Sequence, residues 1–236
     1  IYEYIFGRID STKILVSKSE KDYAKQTKIF LGKNSIIINN GVFNMPIKGS
    51  DNSHRLYREI FEISKINVIA INRFVIQKNI EEILNIASYL PNINFYIIGD
   101  GPLWKKLNYL VIKRKISNVN LLGEKKNIYK YLYSSDIYLS TSLYEGLPLS
   151  ILEAMSIGLP IVASNVIGNC DTIENGISGF LYELNDINKA IDYLNKLAKS
   201  KDLRTKLGFS AYKRQKDLFS KDLMIQKYTH LYKNIL

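Results

Sequence analysis

The sequence has few of the residues on which disulfides, metal centres and histidine-based catalysis depend. Cys170 is the only cysteine, so no internal disulfide and no cysteine-based metal site can form. We expect Cys170 to be a small buried apolar side chain in a reducing compartment. The two histidines, His54 and His230, give too little material for a histidine metal cluster or a serine–histidine–aspartate site.

Long apolar runs are missing as well. No stretch of about 18 consecutive apolar residues occurs, so the sequence predicts no membrane-spanning helix. The opening lacks a basic region followed by an apolar one, so no signal peptide is predicted. We therefore expect a cytoplasmic location, which includes the inner face of the cell membrane.

Positive charge is in excess, and the excess is local. Lysine and arginine number 33 against 22 acidic residues, which gives a net charge of +11. Residues 104–130 contain eight basic residues and a single acidic one, Glu124. Such a field favours phosphorylated small molecules, an anionic membrane surface or nucleic acid, although solvated helix faces would also account for it. No nucleic-acid-binding motif is present, so we expect no nucleic-acid partner.

Short apolar runs alternate with helical patterns along most of the chain. The predicted strands are residues 35–39, 67–71, 94–98, 119–122, 136–140 and 160–164. These runs are almost continuously apolar, as expected for strands that are covered on both faces. With helical patterns such as 79–90 and 102–115 between them, they predict an α/β fold with a doubly wound, Rossmann-like parallel sheet. From about residue 186 onward the sequence reads as helices only.

The stretch "YEGLPLSILEAMSIGLPIVAS" (144–164) follows a predicted strand and begins a helix near Pro148, which suits a first helical turn. Gly158 is the expected end of that helix. The unpaired amides at its start would face the carboxyl ends of the strands and favour an anion by about 0.3–1 kcal/mol. Glu145 precedes the helix and Glu153 lies about two turns further on. Carboxylates on both sides of an anion site suit a nucleotide sugar, in which a diphosphate lies between two sets of hydroxyls.

Two basic residues are expected at the same edge of the sheet. Arg73 and Lys78, in "INRFVIQKN", lie on the loop that follows the predicted strand 67–71. Arginine binds phosphate through two parallel hydrogen bonds, and lysine adds a movable point charge. An ordinary basic loop would explain this pair equally well if it stood alone.

Five segments in this order carry a resemblance to a known family: "NRFVIQKN", "YIIGDGPL", "NVNLLGEKKNI", "SSDIYLSTSLYEGLPLSILEAMSIGLPIVASNVIGN" and "IENGISGFLYE". Together they resemble the carboxyl-terminal, donor-binding half of the group 1 glycosyltransferases, the retaining family-four enzymes of the GT-B type. The most specific element is the pair of glutamates eight positions apart, Glu145 and Glu153.

The resemblance implies a role for each charged residue. Arg73 and Lys78 would hold the diphosphate of the donor, and Glu145 would face hydroxyls of the donor sugar. Glu153 would accept hydrogen bonds from the ribose hydroxyls. Arg73, Lys78 and Glu145 are therefore the expected catalytic residues.

Main-chain groups complete the expected donor site. The resemblance implies that the amides of Gly146, Leu147 and Leu149 contact phosphate or sugar. The base would lie near residues 124–127, where this sequence places Lys125, and main-chain groups there would read it. The identity of the base does not follow.

The resemblance also suggests a division of the chain. Residues 1–48 are similar to the end of the family's amino-terminal, acceptor-side domain followed by a linker. Residues 49–218 would form the nucleotide-sugar-binding domain, and residues 219–236 a carboxyl-terminal helix. Most of the acceptor-side domain is missing from the chain, including its glycine-rich loop and the histidine usually found there.

The expected function is transfer of a sugar from a nucleoside-diphosphate sugar to an acceptor hydroxyl, with retention, in glycan or polysaccharide biosynthesis. A glycan or a lipid-linked acceptor would be the second substrate, with peripheral association to an anionic membrane. No cofactor and no metal are expected. Other interpretations remain open: a non-catalytic half that binds the donor and needs a separate acceptor domain, or a glycosidase that uses Glu145 and Glu153 as its carboxyl pair.

Overall fold

The computed structural model describes residues 12–29, 35–49, 60–62 and 64–235. His54 and parts of the predicted amino-terminal remnant and linker lie outside the described residues. The strands are β1 Lys13–Leu15, β2 Ser35–Ile37, β3 Ile66–Ile71, β4 Ile93–Ile98, β5 Val119–Gly123, β6 Ile137–Ser140, β7 Ile161–Ser164 and β8 Gly179–Tyr182.

Helices connect most of these strands. They are α1 Lys18–Gln26, α2 Ile80–Ser88, α3 Trp104–Lys113, α4 Ile128–Ser134, α5 Leu149–Ser156, α6 Asn169–Thr172, α7 Ile187–Lys199, α8 Lys201–Leu218 and α9 Lys221–Ile235. A single 3₁₀ turn, Ile76–Lys78, precedes α2. Each predicted strand has a counterpart within one or two residues, and the expected helical carboxyl-terminal part forms α7, α8 and α9.

The main sheet has six strands in the order β5-β4-β3-β6-β7-β8, and every pairing within it is parallel. The predicted doubly wound parallel sheet is therefore confirmed. From β3 the chain builds outward through β4 and β5, then returns to place β6 on the other side of β3. Crevices that bind ligands in such sheets lie where the order reverses, and here that point is between β3 and β6.

Helices cover both faces of this sheet, which explains the continuously apolar strands. Val68 and Ala70 pack with α2 and α7, whereas Ile69, between them, packs with α4 and α5 on the opposite face. All three side chains are at most 2% exposed. A strand buried on both sides leaves no position for a polar alternation, so the sequence shows an unbroken apolar run.

A smaller sheet of β1 and β2, paired in parallel, lies outside the main one. The chain beyond it runs beside the start of α9, because the Val42 amide donates to the carbonyl of Phe219 (3.0 Å) and the Lys221 amide to the carbonyl of Val42 (2.8 Å). The boundaries at residues 48 and 218 stay predictions.

Two local expectations are corrected by the structure. Cys170 is exposed and not buried, because the short helix α6 turns Asn169 and Thr172 inward and leaves Cys170 on its outer side. Strand β8 was not predicted. It occupies an edge of the sheet beside β7 and begins at Gly179, a residue type that is uncommon in strands.

Candidate active site

Two loops meet where the strand order reverses. One runs from the end of β3 to α2 (72–79), and the other from the end of β6 to α5 (141–148). Because β3 and β6 are parallel neighbours, both loops leave the same edge of the sheet. The predicted residues Arg73 and Lys78 lie on the first loop, and Glu145, Gly146 and Leu147 on the second.

Hydrogen bonds hold the two loops together. The Leu143 amide donates to the carbonyl of Gln77 (2.8 Å), and the Gln77 side chain donates to the carbonyl of Tyr144 (2.8 Å). Thr141 is fully buried, and its hydroxyl lies 3.0 Å from the carbonyl oxygens of both Lys78 and Asn79. A hydroxyl has one proton, so the two carbonyls share it. The loop that carries Glu145 thus also holds the main chain of Lys78 in position.

Lys78 and Glu145 form an ion pair between the loops. The Lys78 Nζ atom lies 2.5 Å from Glu145 Oε1, and their side chains are 18% and 8% exposed. The two residues are 67 positions apart in the sequence, so only the fold brings them into contact. An ammonium has three donors, so Lys78 can keep this contact and still donate to an anion that enters the crevice.

Arg73 lies on the same loop as Lys78, but its side chain is not paired as that of Lys78 is. Its side chain is exposed and makes no hydrogen bond or ion pair with any described residue. Its neighbour Asn72 is 6% exposed, and the Nδ2 group of Asn72 has no partner. Gly99 fixes the backbone here, because a Cβ atom at Gly99 would lie 1.8 Å from the Asn72 carbonyl oxygen. Arg73 is therefore an exposed cation, unpaired among the described residues, on a loop whose backbone packs closely against Gly99.

The start of α5 adds donors without charge. Pro148 is the residue that precedes the helix, and no side chain caps the first turn. The amides of Gly146, Leu147 and Leu149 donate to no described residue. Such amides, with the positive end of the helix dipole, favour an anion at this point.

The loop after β7 closes the other side of this anion site. The Glu145 amide donates to the carbonyl of Ile167 (3.1 Å). Gly168 has φ +83°, and a Cβ atom there would lie 2.6 Å from the Gly146 carbonyl oxygen and 2.9 Å from Glu145 Cβ. Glycine is needed for both reasons, so this contact helps to hold Glu145 in place.

The amino-terminal segment reaches the same place. The Asn40 side chain donates to the carbonyl of Leu147 (3.0 Å), and the Gly168 amide donates to Ser19 Oγ (3.1 Å). Ser19 also donates from its hydroxyl to Asp171 in α6. The small sheet is thereby tied to the site-side edge of the main sheet.

Glu153 lies on α5 and is half-buried. Burial raises the pKa of its carboxyl from the ordinary 4.5 to about 7. Burial, and in second place the charge of Glu153, raise the pKa of Tyr129 in α4. Glu153 therefore lies near Tyr129 of α4, the helix that follows the loop of Lys125.

Lys125 lies on the loop after β5, at the same edge of the sheet, and is half-buried. Strand β5 is separated from β3 by β4 alone, so its end lies about 10 Å from the end of β3. The structure thus joins Lys78 and Glu145 directly, and the α5 amides follow Glu145 in the chain. Arg73 and Lys125 lie on loops at the same edge of the sheet and Glu153 lies on α5, and none of the three side chains makes a hydrogen bond or ion pair with Lys78 or Glu145.

Sequence reasoning missed Thr141, Gly168, Asn72 and the link from Ser19 to Asp171. A signal existed for Gly168, since a glycine after a strand often marks close backbone approach. No local pattern indicates that a threonine hydroxyl bridges two carbonyls from another loop. Asp136 lies at the opposite edge, where its carboxylate accepts a hydrogen bond from the Asn67 amide (3.0 Å).

The described residues contain no group of three or more side chains that could hold a metal ion. Among the same residues, no helix is both long and apolar enough to cross a bilayer. The arrangement offers two cations and free amides for a diphosphate, with carboxylates on either side for hydroxyls.

Comparison with known proteins matches residues 57–214 to the family described as glycosyl transferases group 1. The Escherichia coli protein named UDP-Gal:alpha-D-GlcNAc-diphosphoundecaprenol alpha-1,3-galactosyltransferase is 39% identical over 152 residues, which are 58% of this chain and 39% of that protein. The GtfA subunit of a UDP-N-acetylglucosamine–peptide N-acetylglucosaminyltransferase from Streptococcus agalactiae is 28% identical, over 100% of this chain and 48% of its own length.

Solved structures share the fold. The Anabaena protein Alr3699/HepE, in complex with UDP-glucose, superposes with a TM-score of 0.89 at 19% identity, over 98% of this chain and 66% of that chain. The present chain spans less than half the length of the two relatives above, 39% and 48%.

Proposed function

Because the chain belongs to the group 1 glycosyltransferases, we propose that it binds a nucleoside-diphosphate sugar between β3 and β6. In the whole protein this donor would transfer its sugar to an acceptor hydroxyl, with retention at the anomeric carbon, in glycan or polysaccharide biosynthesis. Donor binding is proposed for the chain itself. Transfer is proposed for the whole protein, since the chain spans less than half of its relatives.

One observation carries this proposal: the ion pair of Lys78 and Glu145 beside the open amides of α5. A buried ion pair by itself contributes little net stability. Here its cation retains donors, and the neighbouring amides have no partner. The site therefore contains more donors than the protein uses, as expected where an anionic ligand supplies the acceptors.

The difficult step is departure of a dianionic diphosphate from a carbon that becomes cationic. Arg73, Lys78 and the amides of Gly146, Leu147 and Leu149 would stabilise the charge that grows on the leaving group. These donors are fixed before the reaction, except for Arg73, whose free side chain would close on the diphosphate. We propose that no metal is required, since these groups already meet the growing charge. Chelator treatment of the whole protein should leave turnover unchanged.

The two carboxylates would accept hydrogen bonds from hydroxyls of the two sugars of the donor. Glu145 directly precedes the open amides of Gly146 and Leu147 in the chain, so we assign it to hydroxyls of the transferred sugar. Glu153 lies near Tyr129 of α4, so we assign it to the ribose, with the base near Lys125. The names of the two relatives suggest UDP as the nucleotide.

The acceptor is proposed by analogy with the E. coli relative, whose name specifies a diphosphoundecaprenol-linked sugar. A lipid-linked or glycan acceptor would place the protein at the inner face of the cell membrane. Peripheral association with anionic lipid fits the net charge of +11.

Calorimetric titration of the chain with UDP, GDP and ADP tests donor binding. We expect one of the three, UDP, to bind at least about tenfold more tightly than the others, a factor that corresponds to about 1.4 kcal/mol. Binding without turnover in the whole protein would favour the non-catalytic alternative. Absence of binding to all three would contradict the proposed site.

A further inference from the structure

Helix α3 carries a surface that the proposed donor site does not use. Lys105, Tyr109, Ile112 and Lys113 are spaced so that they share one side of the helix, called the α3 face below. Tyr109 is 58% exposed and Ile112 is 68% exposed. The opposite side of α3 is buried through Leu107. The α3 face is therefore an exposed apolar pair with a lysine on either side.

The charge around this face is only partly neutralised by the described residues. Residues 104–115 contain five basic residues and no acidic one. Two of the five, Lys106 and Arg114, pair with Glu81 at 2.9 and 2.8 Å. Lys105 and Lys115 pair with no described residue, and Lys113 lies 5.5 Å from the centre of the Tyr109 ring.

A second exposed tyrosine lies on the neighbouring helix. Arg114 donates to Asn85 in α2 (2.7 Å), which brings the end of α3 against the last turn of α2. Tyr89, which ends α2, is 66% exposed. The two helices in contact thus each carry an exposed tyrosine, Tyr109 on α3 and Tyr89 at the end of α2.

The start of α3 is rigidly joined to the loop of Arg73. The Leu103 amide donates to the carbonyl of Phe74 (3.0 Å), and the Phe74 and Trp104 rings stack at 5.3 Å between centroids. Ten residues of helix are about 15 Å long. The α3 face therefore begins beside the donor crevice and extends away from it along the flank of the sheet.

We propose that the α3 face docks on an anionic lipid bilayer. Lysine stems can lie along apolar surface with their ammonium groups among anionic headgroups, while Tyr109 and Ile112 enter the interface. An acidic protein would need only the charges, and single-stranded nucleic acid would favour stacked aromatic rings along a groove. With the flank of the sheet on the membrane, the donor crevice opens along the lipid surface, where a lipid-linked acceptor would lie.

Vesicle flotation of the chain tests this surface. The chain should float with vesicles that contain anionic phosphatidylglycerol and stay behind with neutral phosphatidylcholine. We expect Lys105→Glu/Lys113→Glu to weaken partitioning at least about thirtyfold, from a factor of roughly five for each lysine near an anionic surface. Tyr109→Ser/Ile112→Ser, which keeps every charge, should weaken it about tenfold.

A matched variant controls for net charge. Lys206 and Lys216 are exposed on α8, away from the α3 face, and Lys206→Glu/Lys216→Glu lowers the net charge by the same amount. This control should retain partitioning within about threefold. Equal loss in the α3 and α8 variants would overturn the proposal, and so would equal flotation with neutral and anionic vesicles. RNA retention that the α3 variant loses, without any flotation, would assign the face to another polyanion and overturn it too.

The inference rests on the proposed membrane association and not on donor binding. Calorimetry of the same variants with UDP distinguishes a failure of membrane docking from a failure of donor binding, since all of the variants should bind UDP as the unaltered chain does. Loss of flotation with intact UDP binding would show that the variants are folded.

Discussion

Strand β6 has an acidic residue near each end, and the two differ in what surrounds them. Asp136 precedes the strand and Glu145 lies in the loop that follows it. Each is within ion-pair distance of a lysine: Asp136 lies 3.9 Å from Lys48, and Glu145 lies 2.5 Å from Lys78. At the Asp136 end, the carboxylate also accepts from the Asn67 amide, and Lys48 donates to the carbonyl of Ser135.

At the Glu145 end, several hydrogen-bond donors have no partner among the described residues. Amides stand open beside the pair, Arg73 has no partner among the described residues, and the Asn72 side-chain amide is buried without an acceptor. An ion pair whose neighbouring polar groups have hydrogen-bond partners serves the fold. An ion pair that lies among donors without partners is arranged for a ligand. We therefore expect substitutions at the Asp136 end to change stability and substitutions at the Glu145 end to change donor binding and turnover.

The largest effect is expected for Arg73→Ala in the whole protein. Loss of one preorganised electrostatic donor raises the barrier by about 2.7–4 kcal/mol, so kcat should fall by about 100- to 1,000-fold. The thermal midpoint should not change, because the side chain is exposed and unpaired among the described residues. Steady-state kinetics and a melting curve check both parts. Turnover within threefold of the unaltered protein would remove Arg73 from the mechanism.

Neutralising the two acids compares the ends of β6 directly. Glu145→Gln should lower turnover at least about tenfold, since hydrogen bonds to charged groups contribute about 1.5–3 kcal/mol. Asp136→Asn, its matched control, should leave turnover within about twofold. Both variants should lose roughly 1 kcal/mol or more of unfolding free energy, because each removes the charge of a carboxylate that lies within ion-pair distance of a lysine. The same turnover in the two variants would contradict the distinction between the ends.

A smaller effect is expected at Thr141, which holds the Lys78 loop. Thr141→Val keeps the shape and removes the shared hydrogen bonds, so Lys78 should lose its fixed position. We expect donor KM to rise by about five- to tenfold, as the loss of a buried hydrogen bond costs about 1–1.5 kcal/mol. Thr141→Ser keeps the hydroxyl and should restore most of the affinity. If serine and valine have equal effects, packing and not the hydroxyl positions the loop.

The smallest effect is a pH dependence at Glu153. With a pKa raised to about 7 in the folded protein, the carboxyl binds protons more tightly than the unfolded chain does. The fold therefore loses stability as pH rises from 4.5 to about 7, the loss is complete above pH 7, and there is no effect below the ordinary pKa of 4.5. Glu153→Gln should raise the thermal midpoint at pH 8, by a few degrees for about 1 kcal/mol, and leave it unchanged at pH 4. A higher midpoint at pH 4 alone would contradict the sign.

Donor affinity should show the opposite preference at the same residue. Ribose hydroxyls donate to a carboxylate, so binding of an intact nucleotide sugar should strengthen as pH rises from 6 to 8 and be flat in Glu153→Gln. A sugar-linked diphosphate is the suitable probe, because a terminal phosphate has its own ionisation near pH 6.

The sequence was sufficient to predict the parallel sheet, because strands buried on both faces leave unbroken apolar runs. It also predicted α5, from a proline at its start and a glycine beyond its end, and the structure places that helix at Leu149–Ser156. The charged site residues were found as a set through the family resemblance. Their roles in binding and catalysis stay predictions.

Other features depend on contacts that no local pattern contains. The bridge from Thr141 to the carbonyl of Lys78 joins residues 63 positions apart, and the link from Ser19 to Asp171 spans 152 positions. Strand β8 has four residues and begins at Gly179, and glycine is depleted in strands, so its sequence gives a weak strand signal. Cys170 was expected inside because cysteine is usually buried, but the orientation of a four-residue helix determined its exposure.

Calorimetric titration of the 236-residue chain with UDP, in Lys78→Met and Lys48→Met side by side, tests the central claim most directly. Each substitution removes a lysine that pairs with an acidic residue next to β6, and methionine has a side-chain volume similar to that of lysine. We predict that Lys78→Met weakens UDP binding at least about tenfold, as expected for a charged hydrogen bond to phosphate. Lys48→Met should bind UDP as the unaltered chain does. Equal affinity in the two variants would contradict the convergence of the β3 and β6 loops on a diphosphate.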